Sequence, residues 1–319
     1  MKKLLTNLFL YFGLLSILML LLYFLSGIIT SNHRLGTTYL KQNRLTLIEG
    51  RKLILVGGSN LHYGINSEML ESGIGIEVVN MGIQGSIGLE YYFNEIMDKV
   101  KENDVVVFLP EPALFYKIPL DGEQTLYNLI SKFPKGICYL NFDQILSSPK
   151  YLGMTIKENL EYFVMLITMK LLNRKTILEE TNELGDYLGH KNKKSIYSSK
   201  IPPANFVISE VEPRVDSTVL FLIKAAARIK SKGAQFYISF SPTAKSAEEF
   251  EIFQVIDNKI SEIFSTVKLS SIFENIYPDY YFLDTSHHLL YDKRNERTQI
   301  LINQLICNKI FNSKLIDVK

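Results

Sequence analysis

The sequence of 319 residues has no tryptophan, only two cysteines and five histidines, and a formal net charge of only +2. Cys138 and Cys307 lie far apart and belong to no CxxC or Cys/His pattern, so we do not expect a structural zinc site. Because the charges nearly balance and no nucleic-acid-binding motif is present, DNA or RNA has little support as a partner. The shortage of histidine also leaves few candidates for a catalytic base.

The glycine-containing stretches lack the patterns of nucleotide-binding loops. Gly57-Gly58-Ser59 is not followed by the lysine of a Walker A loop, and the segment from Gly82 to Gly85 is not a dinucleotide fingerprint. We therefore expect no cofactor. Since 47% of the residues are apolar and 21% are charged, the composition is that of a folded protein.

The one long apolar run lies near the N-terminus, from Leu8 to about Thr30. It reaches the roughly 20 residues that a helix needs to cross the hydrocarbon core of a bilayer. A cleaved signal peptide is the alternative, but residues 26–31 form a poor cleavage site. We therefore favour an uncleaved anchor over residues 1–31 that contacts the membrane through residues 8–30.

Basic residues on both sides of this run bear on its orientation. Lys2 and Lys3 favour a cytoplasmic N-terminus, which places the rest of a single-pass membrane protein outside the cytoplasm. Three basic residues on the other side weaken this orientation: Arg34, Lys41 and Arg44. We interpret residues 32–50, which are polar, as a short stalk.

From residue 51 onward, short apolar runs alternate with amphipathic helical segments. Such alternation is typical of right-handed βαβ units and predicts an α/β domain over residues 51–319 with a central parallel sheet. We expect strands at residues 53–56, 75–80, 105–109, 234–240 and, as a short fifth, 266–269. We expect helices at 89–100, 217–230, 247–264 and 293–311.

Between residues 113 and 215 this alternation is lost, and we interpret the segment as a helical insertion over the sheet edge. It would form either a substrate wall or a membrane-facing surface. The run Tyr162–Leu172 is too short for a second membrane span, so we expect it to pack in the core. The polar, basic segment Gly189–Lys200 is predicted to be a loop.

The segment with the clearest chemical meaning is the first strand and the turn after it. Leu53 to Val56 predicts a strand buried on both faces, and Gly57-Gly58 allow a sharp turn. This places the hydroxyl of Ser59 at the carboxyl edge of the sheet, where ligand sites gather. Backbone N–H groups of such a turn can also stabilise a negative oxygen. The alternative is that Ser59 only caps the following segment.

A serine hydroxyl becomes a nucleophile when a base takes its proton and a carboxylate orients that base. Three of the five histidines are poor candidates: His33 lies beside the membrane, His62 is too close to Ser59 along the chain, and His190 lies in a basic loop. His287 and His288 follow Asp284 in a loop before the last helix, and that loop can return to the edge that holds Ser59. The alternative is that both are surface histidines that cap a helix.

Three sequence blocks resemble those of the SGNH/GDSL family of serine esterases and acyltransferases, particularly its membrane-anchored bacterial forms. The blocks are Gly57-Gly58-Ser59-Asn60 with Tyr63-Gly64-Ile65-Asn66, then Asn80-Met81-Gly82-Ile83-Gln84-Gly85, and finally Asp284 to Leu289 with Arg297-Thr298. The resemblance covers roughly residues 50–110 and 215–312. It implies a three-layer, flavodoxin-like SGNH sandwich with a parallel sheet of about five strands.

The resemblance also implies roles for individual residues. Ser59 would be the nucleophile, His288 the base and Asp284 its orienting partner. The common family spacing D-x-x-H selects His287 as the alternative base. Oxyanion donors would come from Ser59, Gly85 and Asn60, and Gly58 would line the substrate site.

One block departs from the family pattern. Where the family commonly has an asparagine that donates to the oxyanion, this chain has Leu109-Pro110-Glu111-Pro112. An ionised carboxylate cannot donate and would repel the oxyanion. Glu111 is therefore expected either to bind a substrate hydroxyl or to anchor the loops around the site.

The resemblance implies an envelope-facing serine esterase or O-acyltransferase that acts on acyl esters of a cell-surface polysaccharide or lipid-linked glycan. The alternative is an inactive accessory protein of the same fold that binds glycan or assists a membrane acyltransferase. The departure at Glu111 supports this alternative. A third interpretation is a phosphate-binding module that uses the Gly-Gly-Ser turn.

Overall fold

Four parallel strands form the central sheet in a computed structural model that describes residues 2–198 and 207–311. Their spatial order is β2-β1-β3-β4, so the direction of winding reverses between β1 and β3. The strands are β1 Lys52–Gly57, β2 Glu77–Asn80, β3 Val105–Leu109 and β4 Gln235–Ile238. A separate short parallel pair consists of β5 Thr243–Ala244 and β6 Ile276–Tyr277.

Helices cover both faces of this sheet. In chain order the α-helices are α1 Lys2–Ile29, α2 Thr38–Leu47, α3 Ser59–Gly64, α4 Ser67–Ile74, α5 Leu89–Met97, α6 Gln124–Lys132, α7 Phe142–Leu171, α8 Ile208–Ser231, α9 Phe250–Phe264 and α10 Lys293–Cys307. Alternate residues of β1 enter two different apolar clusters, Ile54 and Val56 on one face and Leu53 and Leu55 on the other. Burial on both faces explains why these strands are continuous apolar runs.

The sheet has four strands in the described residues, not the five that we expected. The predicted fifth strand, residues 266–269, makes only an isolated parallel bridge between Lys268 and Ile238. The chain leaves the sheet edge directly afterwards, where the hydroxyl of Ser270 lies 2.9 Å from that of Ser239 and accepts a hydrogen bond from Asn275. One aligned residue pair is too short to extend the ladder.

The N-terminal helix α1 is the single helix among the described residues whose length and apolar composition suffice to cross a membrane. Its large apolar side chains from Leu4 to Leu22 are exposed. Only its C-terminal part contacts the rest of the protein, where Tyr23 and Gly27 are buried. These features are consistent with membrane anchoring.

The segment that we interpreted as a stalk, residues 32–50, is folded and packs on the domain. It contains a 3-10 helix, Arg34–Thr37, followed by α2. Lys41 in α2 is almost completely buried, and its ammonium group donates hydrogen bonds to the carbonyl oxygens of Asn80 (2.8 Å) and Gly185 (2.7 Å). Lys41 in this polar segment is therefore buried and hydrogen-bonded. The sequence alone does not distinguish such a residue from one that is exposed to water.

The insertion contains α6, the 30-residue α7 and an irregular segment after it. We expected residues 162–172 to pack in the core, and that expectation was wrong: Val164 is 63% exposed and Leu171 is 81% exposed. Residues 189–198 form no helix or strand, in agreement with the predicted loop, and residues 199–200 lie outside the described part.

A buried ion pair joins the beginnings of β1 and β3. The ammonium group of Lys52 lies 2.8 Å from Asp104 Oδ2, and both side chains are fully buried. The Asp104 carboxylate also accepts hydrogen bonds from the backbone N–H groups of Lys52 (3.1 Å) and Lys101 (2.8 Å). The pair therefore fixes the two central strands relative to each other.

We predict that Asp104→Asn lowers the free energy of unfolding by about 3–5 kcal/mol, because it leaves the buried Lys52 charge without its partner. Urea unfolding of the full chain in detergent, followed by circular dichroism, measures the change. Asp216→Asn is the control, since it breaks the exposed ion pair with Lys259 and should leave stability nearly unchanged. Equal stabilities of Asp104→Asn and the wild type would contradict this role of the buried pair.

Candidate active site

Ser59 begins α3 directly after β1, at the carboxyl edge of the sheet. It lies beside the point between β1 and β3 where the winding reverses, and open α/β sheets bind ligands at such a point. The residue is only 9% exposed, so its hydroxyl is largely shielded from water. The N-cap of α3 is Gly58, and Ser59 is the first residue of the helix.

The hydroxyl of Ser59 contacts a histidine from the far end of the chain. Ser59 Oγ lies 2.8 Å from Nε2 of His288, and Nδ1 of the same ring lies 2.8 Å from Oδ1 of Asp284. With the ring proton on Nδ1 donated to Asp284, Nε2 is free to accept the proton of Ser59. This is the geometry in which a base activates a serine and a carboxylate orients the base.

A tight loop presents Asp284 and His288 on the same side. Residues 282 and 289 form an antiparallel bridge, and the N–H of Leu283 donates to the carbonyl oxygen of His288 at 2.8 Å. Inside the loop, the N–H of His288 donates to Thr285 Oγ1 at 3.2 Å. The side chain of Thr285 thus helps to fix the backbone that carries the imidazole.

His288, and not its neighbour His287, lies against Ser59. Nδ1 of His287 is 3.1 Å from the carbonyl oxygen of Pro242, so this ring is held away from the serine. His62 is also directed elsewhere, with Nδ1 2.9 Å from the carbonyl oxygen of Gly185. Burial lowers the pKa of both His62 and His287, which favours their neutral forms.

The charge environment favours an ionised Asp284. Although partial burial raises its pKa, the hydrogen bond and the attraction to His288, together with the nearby Arg34, hold the pKa of this carboxyl below its usual value. Asp284 can therefore accept the Nδ1 proton of His288 across the neutral pH range. An ionised carboxylate also stabilises the imidazolium that forms when His288 takes a proton.

Glu111 lies at the opposite side of Ser59, just after β3. Its Oε1 accepts a hydrogen bond from the backbone N–H of Asn60 at 3.2 Å and lies 3.5 Å from Ser59 Oγ. A Cβ on Gly58 would lie 2.6 Å from the same oxygen, and a Cβ on Gly85 would lie 3.2 Å from Oε2. The two glycines leave the space that this carboxyl group fills.

The residues expected to donate to an oxyanion surround the carboxyl group of Glu111. The backbone N–H of Asn60 points to Glu111, and a Cβ on Gly58 would lie 3.1 Å from the backbone nitrogen of Gly85. The side chain of Asn60 is used elsewhere, since its Nδ2 donates to the carbonyl oxygen of Leu109 at 3.1 Å. Asn60 can therefore donate to this space through its backbone N–H and not through its side chain.

Aromatic rings that we did not assign to the site support the imidazole. The ring of Tyr63 stacks on His288, with ring centroids 4.1 Å apart and planes 4° from parallel. Tyr187 and His190 continue the cluster behind Tyr63. Tyr63 belongs to the first sequence block, but nothing in the sequence indicates that Tyr187 and His190, in the insertion, reach this position.

A second unassigned contact joins the segment after α1 to the site. The guanidinium of Arg34, five residues after α1, donates a hydrogen bond to Oε1 of Gln84. Gln84 directly precedes Gly85, which borders the Glu111 carboxyl group. The segment that leaves α1 therefore lies close to the candidate active site.

Comparison of the sequence with models of known protein families gave no match, and comparison with curated proteins gave none.

We predict that His190→Phe makes the protein less sensitive to acid. Burial, with the nearby charges of Arg294 and Lys193, lowers the pKa of His190 to about 4 from the ordinary 6.5. Between these values the unfolded chain binds a proton that the folded chain does not, so stability falls as pH falls. Because phenylalanine removes this difference, the wild type should lose on the order of 3 kcal/mol more than His190→Phe between pH 7 and pH 4.

Unfolding by urea at several pH values measures this difference. The other buried histidines contribute equally in both proteins, so the comparison isolates His190. Parallel pH dependences of the two proteins would contradict a lowered pKa for this residue.

Proposed function

We propose that the chain is a membrane-anchored, envelope-facing serine esterase or O-acyltransferase with an SGNH-type sandwich fold. The observation that carries the proposal is the contact of Ser59 Oγ with His288 Nε2, together with that of His288 Nδ1 with Asp284, each at 2.8 Å. The order β2-β1-β3-β4 supports a flavodoxin-like sheet. The three sequence blocks that resemble the SGNH family contribute Ser59, Gly85, Asp284 and His288 to this one region.

In the proposed reaction, Ser59 Oγ attacks the carbonyl carbon of an acyl ester while His288 Nε2 takes the hydroxyl proton. Asp284 stabilises the resulting imidazolium. The tetrahedral intermediate then loses the alcohol, which leaves with the proton from His288, and the acyl group stays on Ser59. Water or a glycan hydroxyl repeats the attack, with His288 again as base, and releases Ser59 as a free hydroxyl.

Glu111 constrains this mechanism. Its carboxyl group lies against the backbone N–H of Asn60, one of the three residues expected to donate to the oxyanion. An ionised carboxylate there would repel the tetrahedral intermediate, so Glu111 has to be protonated or leave this position during the reaction. A substrate hydroxyl that binds to the carboxylate would draw it away from Asn60.

The substrate class follows from the resemblance and from the anchor. Membrane-anchored relatives in the SGNH family are associated with envelope glycans, and α1 would keep this domain at a membrane surface. We therefore propose acyl esters of a cell-surface polysaccharide or of a lipid-linked glycan as substrates, with the domain outside the cytoplasm.

The second candidate function is that of an inactive accessory protein that binds glycan for a membrane acyltransferase. The position of Glu111 favours it, because the carboxyl group fills the space where an active enzyme would bind the oxyanion. In this case the protein would retain the contact between Ser59 and His288 but would catalyse no reaction.

A fluorophosphonate probe is predicted to label Ser59 of the full chain. Labelling should disappear in Ser59→Ala, and His288→Ala should lower its rate by about 10²–10⁴, because the base is lost. Labelling is measured by mass spectrometry of the modified peptide. Ser86→Ala is the matched control, since Ser86 lies in the adjacent turn and contacts Thr125 instead of His288. Absence of labelling in folded wild type would favour the accessory function.

Glu111→Gln is predicted to raise the rate of hydrolysis of a small uncharged ester by about 10-fold or more. The substitution removes the negative charge and supplies an N–H donor beside Asn60, and one such donor is worth about 10²–10³ in rate. Initial rates with a p-nitrophenyl ester measure the effect. The gain must vanish in the double variant Ser59→Ala/Glu111→Gln. A folded Glu111→Gln protein slower than wild type would show that the carboxylate itself is needed.

A further inference from the structure

The long helix α7 has polar side chains on its buried face and apolar side chains on its exposed face. Gln144, Thr155 and Asn159 are its completely buried residues. Its exposed large apolar side chains are Phe142, Ile145, Leu146, Met154, Leu160, Phe163, Val164, Met165, Ile167 and Leu171. A helix on a water-soluble surface has the opposite arrangement. The outer face of α7 is therefore too apolar to suit contact with water.

The exposed apolar residues form a continuous strip along the helix. At 3.6 residues per turn, six of them fall within roughly 60° of one another, and we call these six the α7 apolar strip. They are Phe142, Leu146, Leu160, Val164, Ile167 and Leu171. Charged residues follow on the neighbouring sector of the helix: Asp143, Lys150, Lys157 and Glu161. A narrow apolar strip bordered by charges that include lysines is typical of helices that lie in a membrane interface.

The buried face of α7 attaches it to the membrane helix α1. Asn159 Nδ2 donates to Ser26 Oγ of α1 at 3.1 Å, and the ring of Tyr162 packs against His33 with centroids 4.7 Å apart. Helix α6 completes this junction, because Asn159 also donates to Ser131 Oγ at 3.1 Å. At the same place Gly27 of α1 approaches Ser131 so closely that a Cβ would lie 2.1 Å from its carbonyl oxygen.

This junction fixes α7 directly beside the last turns of α1. Ile167 of the apolar strip lies near the end of α1, because Asn32, just after α1, borders the same pocket as Phe163 and Ile167. The exposed apolar side chains of α1 from Leu4 to Leu22 suit the hydrocarbon core of a membrane. Phe163 and Ile167 bring exposed apolar surface of α7 next to the end of this helix.

We propose that α7 lies on the lipid bilayer that α1 enters, with the α7 apolar strip among the acyl chains and the neighbouring charges at the headgroups. The proposal rests on α1 being a membrane anchor and is independent of catalysis by Ser59. Two attachments would then hold the domain in one orientation on the bilayer, since a single span alone leaves it free to rotate. The contact of Arg34 with Gln84 would place the candidate active site near that surface.

The absence of tryptophan from the chain allows a direct test. Leu160→Trp and Glu161→Trp place a single fluorophore on consecutive residues of α7, one in the apolar strip and one in the charged sector. Leu15→Trp in α1 is the reference for a position inside the bilayer. Each full-length variant is reconstituted in phosphatidylcholine and phosphatidylglycerol vesicles, with or without bromine on the acyl chains, and its emission is recorded.

We expect bromine to quench Leu160→Trp several-fold more strongly than Glu161→Trp and nearly as strongly as Leu15→Trp. A second pair at the end of α7, Leu171→Trp and Lys170→Trp, should repeat this difference. Circular dichroism identifies any variant that fails to fold, in which case the other pair decides.

Three results would overturn the proposal. Equal quenching at residues 160 and 161 would show that the apolar strip does not face the acyl chains. Blue-shifted emission of Leu160→Trp without quenching, while Leu15→Trp is quenched, would show that a second copy or another protein covers the strip. Lack of quenching at Leu15→Trp would contradict both the insertion of α1 into the membrane and the contact of α7 with it. It would not bear on the labelling of Ser59.

Discussion

The hydrogen bond between Ser59 and His288 joins residues that are 229 positions apart, so it exists only if the parallel sheet is correctly assembled. Strand β1 brings Ser59 to the carboxyl edge, and the loop before α10 returns Asp284 and His288 to the same edge. At the other end of the sheet the buried pair of Lys52 and Asp104 links β1 to β3, and β3 in turn carries Glu111. The geometry of the candidate site therefore depends on the registration of these two strands.

A second buried polar cluster makes the insertion part of the same unit. Lys41 in α2 donates to the backbone of Asn80 and Gly185. Asp186 accepts from Asn80 Nδ2 at 2.9 Å and from both the N–H and the hydroxyl of Ser67, at 2.7 and 2.6 Å. These bonds connect α2, the end of β2, the insertion and the start of α4. Because each buried group has a partner, the cluster holds the aromatic rings behind His288 in place.

What the sequence allowed us to predict depended on local pattern. Continuous apolar runs were sufficient for β1 and β3. Residues at the ends of elements indicated Ser59 and the pair of His287 and His288, and the resemblance to the SGNH family then selected Asp284 and His288. In the structure the loop closed by the bridge of residues 282 and 289 directs His288 to Ser59, a geometry that the spacing of Asp284 and the two histidines does not define. The exposure of α7 and the burial of Lys41 also could not be predicted, because both depend on contacts between distant segments.

The position of Glu111 is the one place where the geometry opposes the proposed chemistry. The carboxyl group accepts the hydrogen bond of the Asn60 N–H, one of the donors expected for a tetrahedral oxyanion, and Gly58 and Gly85 leave room for it. A substrate carbonyl oxygen that enters this space competes with the carboxyl group for the same donor, so binding of the ester and displacement or neutralisation of Glu111 are one thermodynamic step. A substrate with a hydroxyl that can bind the displaced carboxylate makes that step more favourable than a substrate without one. Glu111 would thereby link acyl transfer at Ser59 to the presence of a hydroxylated substrate such as a glycan.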